Sequence, residues 1–360
     1  MTISLSEHFT YGKLLKFTFP SMIMMILTSI YGVVDGVFIS NFIGAEPFAA
    51  VNIVMPFLII FGAVGFMLGT GGSALVAYTL GTGNHKKANE IFSLLIYVLI
   101  GIGLVFTVLG ELFLAPISCI LGADAAMLPY CIQYGRVILI ALVPFMLQNV
   151  FQSLLVTAER PQLGLYITII SGVTNMILDA LFVAVWRLGV PGAAAATALS
   201  QSIGGIVPLI YFLLPNKSRL RLGKTHFDMS SIVKACSNGA SEFMTNISMS
   251  IVNMLYNWQL MRLLGTNGVA AYGVIMYVTF IFAAIFIGYS MGSAPITGYH
   301  YGAGNKEELK SLLRKSLRII IIMGIILTAL AELLARPLSM IFVSYDTKLL
   351  DMTIYAFMVY

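Results

Sequence analysis

The chain is divided into stretches of twenty or more residues that carry almost no charge, and no other feature restricts its fold as much. These runs cover approximately 14–40, 48–79, 91–115, 133–157, 164–186, 191–214, 232–260, 268–299, 312–335 and 348 onward. Each is long enough to cross a hydrocarbon layer about 30 Å thick. They are continuously apolar rather than alternating, so the spacing predicts helices and not the strands of a barrel. Composition agrees. Of 360 residues, 59% are apolar and 10% charged, where a soluble domain has about a quarter charged. The net charge of +5 does not point to nucleic acid, because the basic residues sit in short connections between the apolar runs. The partner expected is the lipid bilayer.

With the N-terminus placed on the cytoplasmic side, the inner loops and helix ends hold Lys13, Lys16, Lys86, Lys87, Arg160, Lys217, Arg219, Arg221, Lys224, Lys234, Lys306, Lys310, Arg314, Lys315 and Arg318. The outer side holds Arg136, Arg187, Arg262, Arg336 and Lys348. That asymmetry follows the positive-inside rule and predicts a multi-pass cell-membrane protein with a cytoplasmic N-terminus. The segment Met1 to Lys13 does not read as a cleavable signal, because the apolar run after it is longer than a signal core. Cys119, Cys131 and Cys236 lack metal-ligand spacing and are expected as free thiols.

The chain repeats itself without gaps at an offset of 221 residues. Gly44, Ala49, Ala50, Met55, Ile60, Phe61, Ala63, Gly71, Tyr78, Gly81, Gly83 and Asn84 meet Gly265, Ala270, Ala271, Met276, Ile281, Phe282, Ala284, Gly292, Tyr299, Gly302, Gly304 and Asn305. Further along, Glu111, Leu112 and Pro116 meet Glu332, Leu333 and Pro337. One unit holds six helices, an even number, so both copies face the same way and a central cleft between them is expected. The fold class predicted is therefore an all-α membrane protein of two parallel-repeat six-helix lobes. Its divisions are an N-terminal lobe over 1–214, a linker over 215–231 and a partial C-terminal lobe over 232–360. By the same symmetry, about 80 further residues would complete the second copy.

Acidic residues inside a bilayer are costly and mark candidate sites. Asp35 in the first run, Asp179 in the fifth and Thr197 in the sixth fall at one depth near the outer end, with Asn175 one turn from Asp179. Two carboxylates, an amide and a hydroxyl can hold Na⁺ at Asp35 and Asp179, share a proton, or simply join helices by polar contacts. Glu242 lies in the second copy where the first has Ser21, and can bind a cationic substrate or a second ion, or pack helices. Gln148, Asn149 and Gln152 place amides on the fourth helix. Pro20, Pro56, Pro144, Pro208 and Pro295 fall inside helices and can bend them; Pro20 is singled out because Asp35 lies beyond it on the same helix. Gly288-Tyr289-Ser290-Met291-Gly292 matches a nucleophile-elbow pattern, but it falls mid-helix and its repeat mate lacks the serine. No enzyme and no cofactor are expected.

The sequence resembles the multidrug and toxic compound extrusion (MATE) family, and in particular its bacterial multidrug-exporting branch. The stretches that carry the resemblance are Tyr31-Gly32-Val33-Val34-Asp35, Ala158-Glu159-Arg160-Pro161, Asn175-Met176-Ile177-Leu178-Asp179, Gly189 through Thr197, and Gly239-Ala240-Ser241-Glu242-Phe243. The resemblance implies twelve-helix architecture, alternating access, and export of cationic lipophilic drugs by a monomer in exchange for Na⁺ or H⁺. It also implies a cation site at Asp35, Asn175, Asp179 and Thr197. A lipid-linked sugar flippase of the same superfamily and a non-transporting membrane assembly protein are the alternatives. A flippase would be expected to line its cleft with Arg or Lys, and the helix centres here have almost none.

Overall fold

The computed structural model describes residues 3–216, 218–343 and 350–355. Among them the chain is helical throughout, with no strand. The helices are α1 (Tyr11–Phe38), α2 (Ala45–Gly81), α3 (His85–Ile120), α4 (Leu128–Ile140), α5 (Leu142–Thr157), α6 (Pro161–Asp179), α7 (Gly189–Leu213), α8 (Met229–Gly302) and α9 (Lys306–Val343). Seven of the described helices are long and apolar enough to span a bilayer, or eight if α4 and α5 are one span. The run expected from 348 onward lies outside the described residues except for 350–355, which are helical. Bulky apolar side chains stay exposed along α3 (Leu104, Val108, Leu112) and α9 (Ile321, Ile325, Leu333). Water would penalise those faces and lipid does not.

Two expectations about the helices need correction. The run over 133–157 is not one straight helix, because α4 and α5 meet at 57° around Ala141. Pro144 explains the break: it has no N–H to offer the carbonyl of Ile140, so the ladder cannot close there. The runs over 232–260 and 268–299 are not parted by a non-helical loop either, because α8 is helical from Met229 to Gly302. The chain nevertheless doubles back. Tyr256 and Tyr272 stack with ring centroids 5.1 Å apart, where a straight helix would hold them about 24 Å apart. The two arms of α8 are thus the two expected crossings, and the chain reverses between Tyr256 and Tyr272.

The repeat is visible in the backbone. α2 ends at Gly81 and the second arm of α8 at Gly302, while α3 starts at His85 and α9 at Lys306, each pair 221 apart. Between them Gly83 and Gly304 both take positive φ, 82° and 68°, a conformation that glycine adopts without strain. Asn84 then accepts from the Lys87 N–H at 3.0 Å, and Asn305 accepts from the Glu308 N–H at 3.1 Å. These are the same N-cap at the same register.

The copies meet through glycine. A methyl group on Gly81 would overlap the Tyr299 carbonyl, and one on Gly302 would overlap the Tyr78 carbonyl. Subtracting the offset shows these to be one contact made twice, as a two-fold axis requires. Gly71 lies in the same way against Ala235 and Gly239, and Gly292 against Thr18. Gly288 and Gly292 are therefore packing surfaces for α1, which accounts for the glycines of the elbow-like pattern. At the same end, residues 3–10 lie as a strap over both copies. The Leu5 N–H bonds Glu159 at 2.7 Å and the Phe9 N–H bonds Glu308 at 2.9 Å, while both apolar side chains are fully buried. His8 pairs with Glu308 at 2.5 Å, and Arg219 of the linker reaches Glu159 at 3.4 Å. Asp228 caps α8 and pairs with Lys87 at 3.0 Å. Its carboxyl is held at about 2, below the usual carboxylate range, by the Ser231 hydroxyl first and by Lys87 second.

The reciprocal seam gives a symmetric expectation. Gly81→Ala and Gly302→Ala should each destabilise the protein by about 1–3 kcal/mol through overpacking. Gly101→Ala, which meets nothing within 4 Å, should be neutral or slightly stabilising, because alanine favours helix over glycine. Thermal unfolding in detergent reads all three, and a harmless Gly81→Ala would mean that the copies do not touch there.

Candidate functional site

Asp35 lies about 36 Å along α1 from Tyr11, so it is far from the basic end. One turn after it the helix widens into a π-helical segment, Ile39–Ile43. α6 does the same: Asp179 is its last residue, and the π-helical segment Ala180–Val185 follows. π segments interrupt the regular ladder and often accompany functional residues. Here Asp179 borders one and Asp35 lies one turn before the other.

α1 and α6 run side by side in the same direction, with Gly164 against Met24 and Gly172 against the ring of Tyr31. This register brings the two carboxyls together deep in the first copy, close enough for their charges to interact directly. Asp35 is 7% exposed and Asp179 is 0% exposed. Thr197 of α7 donates its hydroxyl to Asp35 Oδ1 at 3.4 Å. Neither oxygen of Asp179 receives a hydrogen bond from the described protein groups. A buried carboxylate with no donor is strongly disfavoured as a bare anion. The arrangement is one that a proton or a hard cation would complete.

The pair adjoins a cavity of about 330 Å³ between α1, α2, α4, α5, α6 and α7. Asp35, Asn175, Thr197 and Gln148 line it, and Asp179 stands just behind the wall. The four residues expected to form a cation site are thus near one another in one lobe. Gln152 is not with them: it sits one turn farther toward the basic end in a tight pocket with Gly204 and Pro208, both amide atoms buried without a partner. Asn149 lines the cavity wall, and its side-chain amide donates to the Gly62 carbonyl at 3.4 Å. Glu242 is half-buried on the first arm of α8, outside this cavity. Pro20 lies inside α1, which continues through it without a break, and faces a different hollow at the basic end. Cys119, Cys131 and Cys236 are all free thiols.

The sequence profile of the MatE family matches residues 20–181 and again 243–358, so each copy of the repeat carries a block of it. The chain belongs to the MATE family. It is 26% identical over 312 residues to Multidrug export protein MepA of Staphylococcus haemolyticus (strain JCSC1435), covering 86% of this chain and 68% of that protein. Among solved structures it resembles the outward-facing conformation of a multidrug resistance MATE family transporter, with a TM-score of 0.91, 21% identity, and coverage of 97% of this chain and 78% of that one. It resembles a MATE in complex with MaL6 equally well, at TM-score 0.91 and 21% identity, covering 97% and 79%. These two likenesses speak to the fold alone.

Sequence reasoning missed several residues that the MATE fold gathers here. Tyr134 is fully buried, its hydroxyl unpartnered, beside both carboxyls and Thr197. In sequence it lies at the edge of the run over 133–157, where nothing singles it out. The bend at Ala141 swings α4 and turns it inward. Gln201 and Tyr31 also line the cavity. Their signal was available, since Gln201 is one helical turn from Thr197 and Tyr31 one turn from Asp35.

A second hollow, about 370 Å³, lies between the arms of α8. Met249, Val252, Met276 and Thr279 line it, and subtracting 221 gives Thr28, Tyr31, Met55 and Leu58, which line the first cavity. The two hollows are repeat mates. The first carries carboxylates, while the second has methionines and hydroxyls.

The fit of Tyr31 against Gly172 is testable. Gly172→Ala should destabilise by about 1–3 kcal/mol, because its methyl group would overlap the phenol ring. In Tyr31→Ala/Gly172→Ala most of that loss should disappear. A double-mutant cycle on thermal unfolding measures the coupling, and additive effects would show that the ring does not lie there.

Proposed function

We propose that this chain exports cationic, lipophilic small molecules in exchange for Na⁺ or H⁺, with its basic end and N-terminus in the cytoplasm and α1–α7 binding the coupling ion. The observation that carries this reading is the Asp35–Asp179 pair, buried beside a cavity with the Asp179 oxygens lacking a donor among the described residues. The donor set is hard oxygen: two carboxylates, the Thr197 hydroxyl and the Asn175 amide. Such groups suit Na⁺ or a shared proton and do not suit a soft metal. The name of the MepA relative, a multidrug export protein, supports export of varied small molecules.

The physics of exchange follows from linkage. A cation bound at Asp35 and Asp179 shifts the conformational equilibrium only by its difference in affinity between the two states. If loading the pair favours release of the drug outward, the drug must oppose cation binding by the same factor. The methionine-lined hollow between the arms of α8 provides the adaptable apolar wall such substrates need, because thioethers repack around varied shapes. No lysine or arginine lines either hollow, which favours cations over the pyrophosphate of a lipid-linked sugar.

Ethidium efflux from proteoliposomes, under a Na⁺ gradient and separately under a pH gradient, tests the proposal and identifies the ion. Asp35→Asn and Asp179→Asn should each lower gradient-driven efflux by roughly tenfold to a hundredfold, the span of a typical coupling free energy. Insertion into the bilayer should be unchanged. Full gradient-driven efflux from both variants would remove the carboxyl pair from the mechanism, and no efflux from the unmodified protein under either gradient would defeat the proposed function.

A further inference from the structure

At the basic end a separate hollow of about 250 Å³ opens between the first turns of α1, the loop before α6 and the start of α6. Its charged residues are Lys16, Glu159 and Arg160, and its apolar wall is Phe17, Pro20, Leu163 and Tyr166. The charges do not cancel. The Glu159 carboxylate is already occupied by the Leu5 N–H, the Ser4 hydroxyl and Arg219. Lys16 is exposed and forms no ion pair among the described residues. The hollow is therefore net positive.

Its placement points to lipid. Tyr166 on the wall is 61% exposed, and Phe19, next to Pro20, is 58% exposed. Aromatic rings in such positions collect where a bilayer meets water. A hollow for a free inorganic anion would gain nothing from four apolar wall residues, whereas a lipid headgroup brings glycerol and acyl carbons for them to cover. Basic pockets between helices at the membrane surface hold anionic headgroups in this way.

We propose that this hollow binds the phosphodiester of an anionic phospholipid. Lys16 and Arg160 supply charge-assisted contacts to the phosphate oxygens, and Phe17, Pro20, Leu163 and Tyr166 lie along the glycerol and first acyl carbons. The site is independent of the carboxyl pair and of the substrate, and stands whether or not the chain is an exporter.

The test uses the whole chain in nanodiscs of phosphatidylcholine doped with phosphatidylglycerol, followed by release into mild detergent and native mass spectrometry. Phosphatidylglycerol should be retained preferentially, and Lys16→Gln should weaken its retention about tenfold, as loss of one charged contact does. Lys86→Gln, in the first turn of α3 outside the hollow, should retain it fully. A second arm compares melting temperatures with short-chain phosphatidylglycerol and with inorganic phosphate at equal concentration. Only the lipid should stabilise, and Tyr166→Ser should reduce that stabilisation with both basic residues in place, which decides the matter if Lys16→Gln folds poorly. Equal lipid retention by the unmodified protein and Lys16→Gln would overturn the site. Stabilisation by phosphate equal to that by lipid would overturn the lipid assignment.

Discussion

The structure depends on backbone touching backbone at the seam between the two copies. A bilayer offers no hydrophobic drive for one helix to prefer another over lipid, so association rests on close packing and on polar contacts. The seam uses glycine at every critical position, with Gly71, Gly81, Gly239, Gly288, Gly292 and Gly302 each lying on backbone atoms of the other copy. Larger side chains would hold α1 and α2 away from α8, and the two copies would lose their main common surface. The strap over residues 3–10 reinforces the same end with buried Leu5 and Phe9 and with hydrogen bonds to Glu159 and Glu308.

Symmetry governs this seam and stops at the site. Gly81 and Gly302 swap partners because their contact is purely steric, and a steric contact can be duplicated with the backbone. Charge is different. Asp35 corresponds to Tyr256, and Ser21 to Glu242, so the mates of the acids are uncharged. The result is two hollows in matching places with different chemistry, one holding a carboxyl pair and one lined by methionines. A duplicated frame with divergent linings thus offers two places of unlike chemistry at equivalent positions.

Much of this was legible in the sequence because hydropathy, repeat register and helix depth are local or periodic signals. The offset of 221 fixed the matching ends of α2 and α8 and the paired caps at Asn84 and Asn305. Depth counting placed Asp35, Asn175, Asp179 and Thr197 at one level, and the structure puts them near one another. What could not be read was direction. A bend of 57° at Ala141 follows from Pro144 only once the neighbouring helices decide which way it opens, and α4 then holds Tyr134 fully buried. The fold-back in α8, by contrast, was legible as the gap between the runs over 232–260 and 268–299, where Gly265, Asn267 and Gly268 cluster. Gln152 and Gln148 are one turn apart on one face, yet only Gln148 reaches the cavity, because Gly204 and Gly205 bring α7 so close that the space below is closed.

α1 connects the two regions physically. Its outer part carries Asp35, and its inner part makes seam contacts through Thr18, Ser21 and Met22 with Gly292 and Gly288. Pro20 lies in the middle of those contacts. It has no N–H for the Lys16 carbonyl, so the helix is weakest where it grips the other copy. Continuity alone is not coupling, since a rigid rod transmits nothing unless it has two arrangements of similar energy. A helix with one missing hydrogen bond, held by glycine contacts that permit sliding, meets that requirement better than a fully bonded one. The position of the proline therefore matters through the seam around it as much as through its distance from Asp35.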